Sequence, residues 1–429
     1  MKYLIFILAA LVVLNTALVA LGQQVKTSWI KETDRARFEE LRREGFDALY
    51  NLDYDAARVK FKEIARLFPE HPAGPQFLAA SLWLQTLNES RRLQASLYNN
   101  DSFYAKTEDK ADPRTVEQFR DWTRQAKQLA QARLKRDPKD AEALYFLGAT
   151  QSLKAAFAAA VERRFISALR DGSDGVDHHR DVIKLDPSFH DAELSIGLYD
   201  YIVGGLPLPV KLLASIGGFR GSKKRGIETL NRVVREGRWA TDDAKVMLIA
   251  VLKREQRFAE ALKLSRELGA KYPRNYIFKL ESADALVSQA AVDRRENKAG
   301  AAEAEEREAF QIFDSLLRDR ATRDTAARSQ DLIHFKYGEA LFTAGQWERA
   351  SKEFLATTTV ANAEQGLGTM AHLRAAQSLD LAGKRNDALT QYHAVLARPD
   401  IYDAHDEAKD GLREPYKIKA KANDGDEGQ

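Results

Sequence analysis

Cysteine is the residue that the sequence lacks altogether: none of its 429 residues is a cysteine. The chain can therefore form no disulfide framework, offers no thiol nucleophile and binds no metal through thiolates. It also has no cysteine that could carry a lipid after an export signal. These absences exclude disulfide-stabilised scaffolds, cysteine-dependent enzymes and cysteine-anchored lipoproteins.

A large excess of charge of either sign is lacking too. The chain balances 66 Lys and Arg against 63 Asp and Glu, a net charge of +3. A protein dedicated to nucleic acid is expected to be strongly basic, because it must neutralise many phosphates. The sequence therefore predicts no nucleic-acid partner. Its 44% hydrophobic and 30% charged residues are typical of a globular chain.

Long apolar runs are scarce, with one exception at the amino terminus. Residues 1–22 read MKYLIFILAALVVLNTALVALG, with one lysine, an apolar run and a small-x-small pattern that ends at Gly22. This order is typical of a secretory signal peptide cleaved near Gly22. The alternative is an uncleaved N-terminal membrane anchor, although Asn15 and Thr16 interrupt the span. We expect an exported protein in the bacterial periplasm or at the cell surface, where a chain without disulfides is common.

Catalytic motifs are absent as well. The sequence contains no Gly-x-Ser-x-Gly elbow, phosphate-binding loop, dinucleotide fingerprint or His-Glu-x-x-His. Its densest polar cluster is DGSDGVDHHRD, residues 171–181. The adjacent His178 and His179 point to different sides of a helix, so they cannot chelate one ion. The sequence thus predicts no enzymatic activity, no catalytic residue, no cofactor and no metal.

Alternating strand patterns do not occur, and the repetition in the chain is helical. Two segments near the C-terminus, YGEALFTAGQWERASKEF and AAQSLDLAGKRNDALTQY, superpose at a spacing of 38 residues. Gly345 then matches Gly383, and Phe354 matches Tyr392. Small residues at such offsets let two antiparallel helices approach closely, while the aromatic fills the gap between hairpins. The pattern predicts helix-turn-helix repeats.

These segments, with Pro69, Pro138, Pro187 and Pro273 as helix terminators, resemble the tetratricopeptide repeat (TPR), whose unit is ~34 residues. The resemblance implies an all-α, TPR-like α-solenoid, a right-handed superhelix of antiparallel helix hairpins. We expect a signal peptide over 1–22, TPR-like repeats over 30–200 and 227–415, an apolar Pro/Gly hairpin over 203–226 and a disordered tail over 416–429. Roughly five to seven repeat units fit this length.

The stretch GLPLPVKLLASIGGFRGSKKRG, residues 205–226, interrupts the repeats with two Leu-Pro steps, an apolar run and a basic cluster. It resembles a segment of TPR proteins that include bacterial exported proteins and the tetratricopeptide proteins of the mitochondrial outer membrane and lipid droplets. Two interpretations stay open: a plug buried in the solenoid, or a wedge in a membrane interface. The predicted partner or membrane contacts are Leu206, Pro207, Leu212, Leu213, Ile216, Phe219, Lys223 and Lys224.

A TPR array presents a concave groove that takes peptides or helices of partner proteins. The Lys and Asn with which some members grip a carboxylate are missing at the matching positions. Tyr145, Phe335 and Phe342 instead predict a groove for apolar anchors. We expect a non-enzymatic exported scaffold that binds a protein or peptide partner in the bacterial cell envelope. The alternatives are a membrane-interfacial protein that contacts lipid through the 205–226 hairpin, and a solute-capture component of an envelope transport system.

Overall fold

The computed structural model describes residues 30–93, 112–206, 220–318, 329–361, 363–401 and 403–418. These residues form seventeen α-helices and one short 3-10 helix, His190–Ala192, and no strand occurs among them. The helices are α1 Glu32–Tyr50, α2 Tyr54–Leu67, α3 Ala73–Glu89, α4 Pro113–Arg136, α5 Ala141–Ala160, α6 Phe165–Leu185, α7 Glu193–Gly204, α8 Lys223–Glu236, α9 Thr241–Arg254, α10 Phe258–Lys271, α11 Tyr276–Arg295, α12 Ala299–Arg318, α13 Gln330–Thr343, α14 Trp347–Thr359, α15 Gln365–Leu381, α16 Arg385–Leu396 and α17 Ala404–Arg413.

The helices are arranged as a linear array in which each packs mainly against its neighbours in the sequence. Eight successive hairpins, from α1–α2 to α15–α16, are followed by the single helix α17. The chain is therefore an all-α, TPR-like α-solenoid, as the repeat pattern predicts. The hairpins outnumber the expected five to seven, because several units lack the glycine and aromatic signature. Among the described helices, none is long and apolar enough to cross a membrane.

The turn inside each hairpin explains why only some units are visible in the sequence. Gly345 and Gly383 follow α13 and α15 with φ of 74°, the left-handed conformation that favours glycine. Turns after five other first helices adopt the same conformation without glycine. These residues are Leu52, Arg91, Arg163, Gln256 and Asn297, with φ of 62°, 59°, 60°, 57° and 61°.

Glycines also mark the closest approach of the two helices in a hairpin. A Cβ atom on Gly338 of α13 would lie 2.7 Å from the ring of Phe354 in α14. A Cβ atom on Gly148 of α5 would lie 2.4 Å from the ring of His179 in α6. Phe354 and His179 are both buried, so neither ring has free space to move into. Gly148 and Gly338 therefore each lie where the two helices of one hairpin touch.

We expect Gly338→Leu to lower the free energy of unfolding by about 1–3 kcal/mol, because the added side chain overpacks the contact with Phe354. Gly300→Leu is the matched control, since a Cβ atom there meets nothing within 4 Å. Urea unfolding followed by circular dichroism measures both variants. Equal stability of the two would contradict the close contact between α13 and α14.

The first hairpins of the solenoid also contact hairpins far along the chain, which an array with neighbour contacts alone does not do. At the end of α1, the ring of Tyr50 stacks on that of Tyr272, with the centroids 4.9 Å apart. The Tyr50 hydroxyl donates to the Asp243 carboxylate at the start of α9. The side chain of Asn275 donates to the carbonyl oxygen of Tyr50 at 2.7 Å. The first hairpin is thereby fixed to the fifth and sixth.

The end of α3 makes a second set of such contacts. The hydroxyl of Tyr276 in α11 donates to Asn88 at 2.9 Å, across 188 residues of sequence. Arg91 Nε lies 2.9 and 3.0 Å from the two carboxylate oxygens of Asp331, across 240 residues. Leu52 and Leu93 pack against the core formed by α11–α15. The N-terminal hairpins therefore cover part of the C-terminal array.

Candidate functional site

The predicted 205–226 hairpin is described only at its two ends. Leu206 is half-buried just beyond α7. Five of its predicted contact residues, Pro207, Leu212, Leu213, Ile216 and Phe219, lie outside the described residues. The described parts of the hairpin are the end of α7 with the two residues after it, and residues 220–222 with the start of α8.

The two ends of the hairpin meet at backbone contacts that only glycine allows. A Cβ atom on Gly204 would lie 2.5 Å from the backbone nitrogen of Lys223, and one on Gly221 would lie 2.6 Å from the carbonyl oxygen of Asp200. Gly226 and Gly197 approach similarly, since a Cβ atom on Gly226 would lie 2.6 Å from the Gly197 carbonyl oxygen. The chain thus leaves α7 and returns to α8 at one point.

Carboxylates neutralise part of the basic cluster at this point. Lys223 Nζ lies 2.9 Å from Glu255, which also accepts from the Tyr201 hydroxyl at 2.8 Å. Arg225 makes two hydrogen bonds, of 2.5 and 2.7 Å, to the buried Asp200. Lys224 is exposed and has no ion pair among the described residues. Of the two lysines predicted to contact a partner or a membrane, only Lys224 keeps its charge free.

Two of the three predicted groove aromatics, Tyr145 and Phe335, pack within clusters of other side chains. The ring of Tyr145 stacks on Phe189 and His179, with centroid distances of 4.8 and 5.3 Å, and lies 5.8 Å from Trp239. Burial raises the pKa of the Tyr145 phenol. Phe335 is only 8% exposed. Trp239 thus covers one side of the half-buried Tyr145, and Phe335 belongs to the core formed by α11–α15.

Phe342, the third aromatic, does lie at the surface of the array. It is half-buried near the end of α13, and the Arg374 guanidinium of α15 stands 4.1 Å above its ring. The ring of Tyr416, which follows α17, lies 6.4 Å from it. We call the accessible parts of Phe342, Arg374 and Tyr416 the Phe342 surface. It combines aromatic area with a cation.

Buried ion pairs join α9, α11 and α13, the first helices of three successive hairpins, and α13 carries Phe342. Lys253 Nζ of α9 lies 2.5 Å from Glu281 and also contacts Asp284, both in α11. Lys336 Nζ of α13 lies 3.7 Å from Asp284 and 2.5 Å from Glu339. Burial alone would raise the pKa of Asp284, but the two ammonium groups outweigh it and hold the pKa below its ordinary value. Both lysines are therefore neutralised.

Arg374 occupies the position of Lys336 in the next unit, 38 residues further on. Glu339 is matched there by Gln377, whose amide oxygen accepts from Arg374 at 2.9 Å. The amide nitrogen of Gln377 in turn donates to Glu407 of α17 at 2.9 Å. No carboxylate of the described residues lies within ion-pair distance of Arg374. Its positive charge is thus held by stacking and by a neutral amide.

Sequence reasoning missed Arg374, although the sequence contains a signal for it. The 38-residue spacing that aligns Gly345 with Gly383 also aligns Lys336 with Arg374 and Glu339 with Gln377. Because the acid of the first unit is replaced by an amide in the second, the alignment indicates that Arg374 lacks the carboxylate that Lys336 has. Comparing polar positions between repeats, and not only glycine and aromatic ones, would have found it.

The predicted absence of a metal site can be compared with the described residues alone. Among them, no group of three or more His, Asp or Glu side chains is arranged to hold a metal ion. His179 is buried and contacts the Tyr145 carbonyl oxygen at 3.0 Å and the Ser195 hydroxyl at 2.6 Å. A carbonyl oxygen only accepts, so Nε2 carries the proton and Nδ1 accepts from Ser195. This histidine is engaged in packing between α5, α6 and α7.

Comparison with models of known protein families and with curated proteins finds no match for this sequence. Solved structures of low similarity include human IFIT1 as a dimer with PPP-AAAA, at 12% identity and a TM-score of 0.45, covering 90% of this chain and 85% of that one. A monomeric IFIT1 mutant with Gppp-AAAA gives 12% identity and a TM-score of 0.47, covering 90% and 86%. Yeast Tom70 gives 10% identity and a TM-score of 0.36, covering 89% and 96%.

Proposed function

We propose that the protein is an exported, non-enzymatic scaffold of the bacterial cell envelope that binds a protein partner through the Phe342 surface. The observation that carries this proposal is the contrast between Lys336 and Arg374. Two carboxylates neutralise the lysine, whereas the arginine at the matching position meets an aromatic ring and an amide. A guanidinium held in this way keeps donors for a carboxylate or carbonyl group of a partner.

The aromatic neighbours of Arg374 suit the same role. Tyrosine, tryptophan and arginine dominate the binding energy of many protein interfaces, where aromatic rings also bury a large apolar area. Phe342 and Tyr416 supply such area beside the guanidinium. The charge pairs of Lys223 and Arg225 favour this proposal over a membrane-interfacial role, because those two cations are already neutralised.

We expect Arg374→Gln to reduce recovery of the partner at least about tenfold in affinity purification from envelope extract, since a charged hydrogen bond is worth ~1.5–3 kcal/mol. Arg318→Gln is the matched control, because the Arg318 side chain is 80% exposed and distant in sequence from the surface. Both variants should keep the far-UV circular dichroism of the parent.

Two outcomes would overturn the proposal. One is equal recovery of the same partner by Arg374→Gln and by the parent. The other is sedimentation of the parent with anionic vesicles together with no protein recovered from the extract, which would favour the membrane-interfacial alternative.

A further inference from the structure

A second surface of the molecule is strongly basic, although the chain as a whole is not. The second helices of the first two hairpins, α2 and α4, contain eleven Lys and Arg and four Asp and Glu, a net charge of +7. The entire chain has a net charge of +3, so its remaining residues together are acidic. None of the eleven cations is buried, but six of them form ion pairs, four with carboxylates outside the two helices. The positive charge of this outer face is therefore carried by the five cations without an ion pair among the described residues, Lys62, Arg66, Arg114, Lys127 and Lys135.

A cleft of about 340 Å³ separates these two helices. The described residues that line it are Arg58 and Lys62 of α2, Leu82 and Gln85 of α3, and Gln118 and Trp122 of α4. They include two cations and an indole ring, and no carboxylate.

The two cations of the cleft differ in their partners. Arg58 lies 2.5 Å from Asp55 and also donates to Gln85. Lys62 is exposed and has no ion pair among the described residues. One turn away on α2, the Val59 side chain is 61% exposed, the largest exposed fraction of any large hydrophobic residue that the structure describes. A free ammonium group and an exposed aliphatic side chain therefore stand together at the rim.

We propose that this cleft is a second docking site, which takes an acidic segment of a partner protein with an aliphatic side chain among its carboxylates. The carboxylates complement Lys62 and the other unpaired cations of α2 and α4, and the aliphatic side chain covers Val59 and the edge of Trp122. Complementary charge of this kind speeds association and selects the partner, while apolar contact supplies affinity.

The surface fits an acidic peptide better than a single-stranded nucleic acid. Sequence-tolerant binding of single strands needs exposed aromatic rings on which bases stack. Among the described residues, the exposed large hydrophobic side chains are Val59, Leu67, Leu185, Ile202 and Ile418, none of them aromatic. Trp122 is half-buried between the cores of the first hairpins.

The test measures fluorescence anisotropy of a labelled synthetic peptide of about twelve residues, glutamates with a leucine at every fourth position, added to the full chain. Lys62→Glu should weaken binding at least about tenfold, or ~1.4 kcal/mol. Lys263→Glu, at an exposed lysine of α10 without an ion pair among the described residues, should change it less than about twofold. Thermal melts establish that both variants are folded.

A second pair of variants tests the apolar part. Val59→Ser should weaken binding about threefold or more without lowering the melting temperature, because the side chain is already exposed to water. Leu185→Ser, at a side chain 42% exposed on α6, should leave binding unchanged.

Three results would overturn the proposal: no effect of Lys62→Glu, equal binding of a peptide with serine in place of leucine, or equal binding of a single-stranded oligonucleotide of the same charge. The last two would indicate general attraction of polyanions. Peptide binding that Arg374→Gln weakens while Lys62→Glu leaves it unchanged would mean that the peptide binds the Phe342 surface and not the cleft, so failures at the two sites are distinguishable.

Discussion

Arg91→Met is expected to lower the free energy of unfolding by about 3–5 kcal/mol, the usual cost of removing one partner from a buried ion pair. Asp331 is fully buried, and Arg91 is 9% exposed. The carboxylate of Asp331 would keep only the backbone N–H groups of Leu332 and Glu364, at 2.9 and 3.0 Å. Methionine preserves the length of the arginine stem, so the loss reports the charge and its hydrogen bonds more than the packing.

Urea unfolding monitored by circular dichroism measures this effect. Arg413→Met is the control, because its pair with Asp410 is exposed on both sides and should contribute at most ~1 kcal/mol. A loss below about 1 kcal/mol in Arg91→Met would mean that the contact between α3 and α13 does not hold the array together.

The contacts between hairpins that are distant in sequence affect how the array unfolds. A solenoid with neighbour contacts alone unfolds from its ends, and we expect that behaviour for an array of local units. Arg91 and Asp331 join the second hairpin to the seventh, and Tyr50 joins the first to the fifth. Loss of an end therefore removes contacts from the middle of the array, so we expect its unfolding to be more cooperative than that of an open solenoid.

The sequence allowed the fold class to be predicted because two adjacent hairpins keep glycine and aromatic residues at equal spacing. Gly345 and Gly383 mark left-handed turns that an observer can recognise. Leu52, Arg91 and Gln256 adopt the same backbone conformation, but these residue types do not favour it, so the sequence does not indicate the turn. The number of hairpins was therefore underestimated, since the tertiary structure imposed the turn where local preference did not.

The interior was harder to predict than the helices. Aromatic residues such as Tyr145 and Phe335 have the same spacing whether they line a groove or fill a core. Their surroundings come from other helices of the array, since Trp239 lies beside Tyr145 and Phe354 of α14 lies beside Phe335. Phe342 remains at the surface because it lies near the end of α13, beyond the part of that helix that is buried on all sides.

Two titratable groups, the buried His179 and the half-buried Asp243, give the protein an unusual expected response to acid. Burial lowers the pKa of His179 from its ordinary 6.5 to about 4. Burial, with the nearby carboxylates of Asp242 and Asp191, raises the pKa of Asp243 from 3.8 to about 6, although the hydrogen bond from Tyr50 opposes the shift. Each difference from the unfolded chain corresponds to about 3 kcal/mol.

The two effects have opposite signs over the same pH range. Below pH 6.5 His179 is protonated in the unfolded chain, whereas in the folded chain it stays neutral down to about pH 4. This difference lowers the free energy of unfolding as the pH falls. Below about pH 6 the folded chain binds a proton at Asp243 that the unfolded chain binds only near pH 3.8, so stability is gained. Their contributions nearly cancel between pH 7 and pH 4.

Single substitutions should separate the contributions of Asp243 and His179 to the pH dependence of stability. Asp243→Asn keeps an acceptor for Tyr50 but cannot gain a proton, so its free energy of unfolding should fall by about 3 kcal/mol more than that of the parent between pH 7 and pH 4. His179→Asn should show the reverse, a relative gain of similar size on acidification. Urea unfolding at a series of pH values between these limits gives both slopes. Because the change is compared with the parent across pH, a constant packing cost of either substitution does not affect the result. Parallel stability curves for parent and both variants would mean that neither group titrates differently in the folded and unfolded chain.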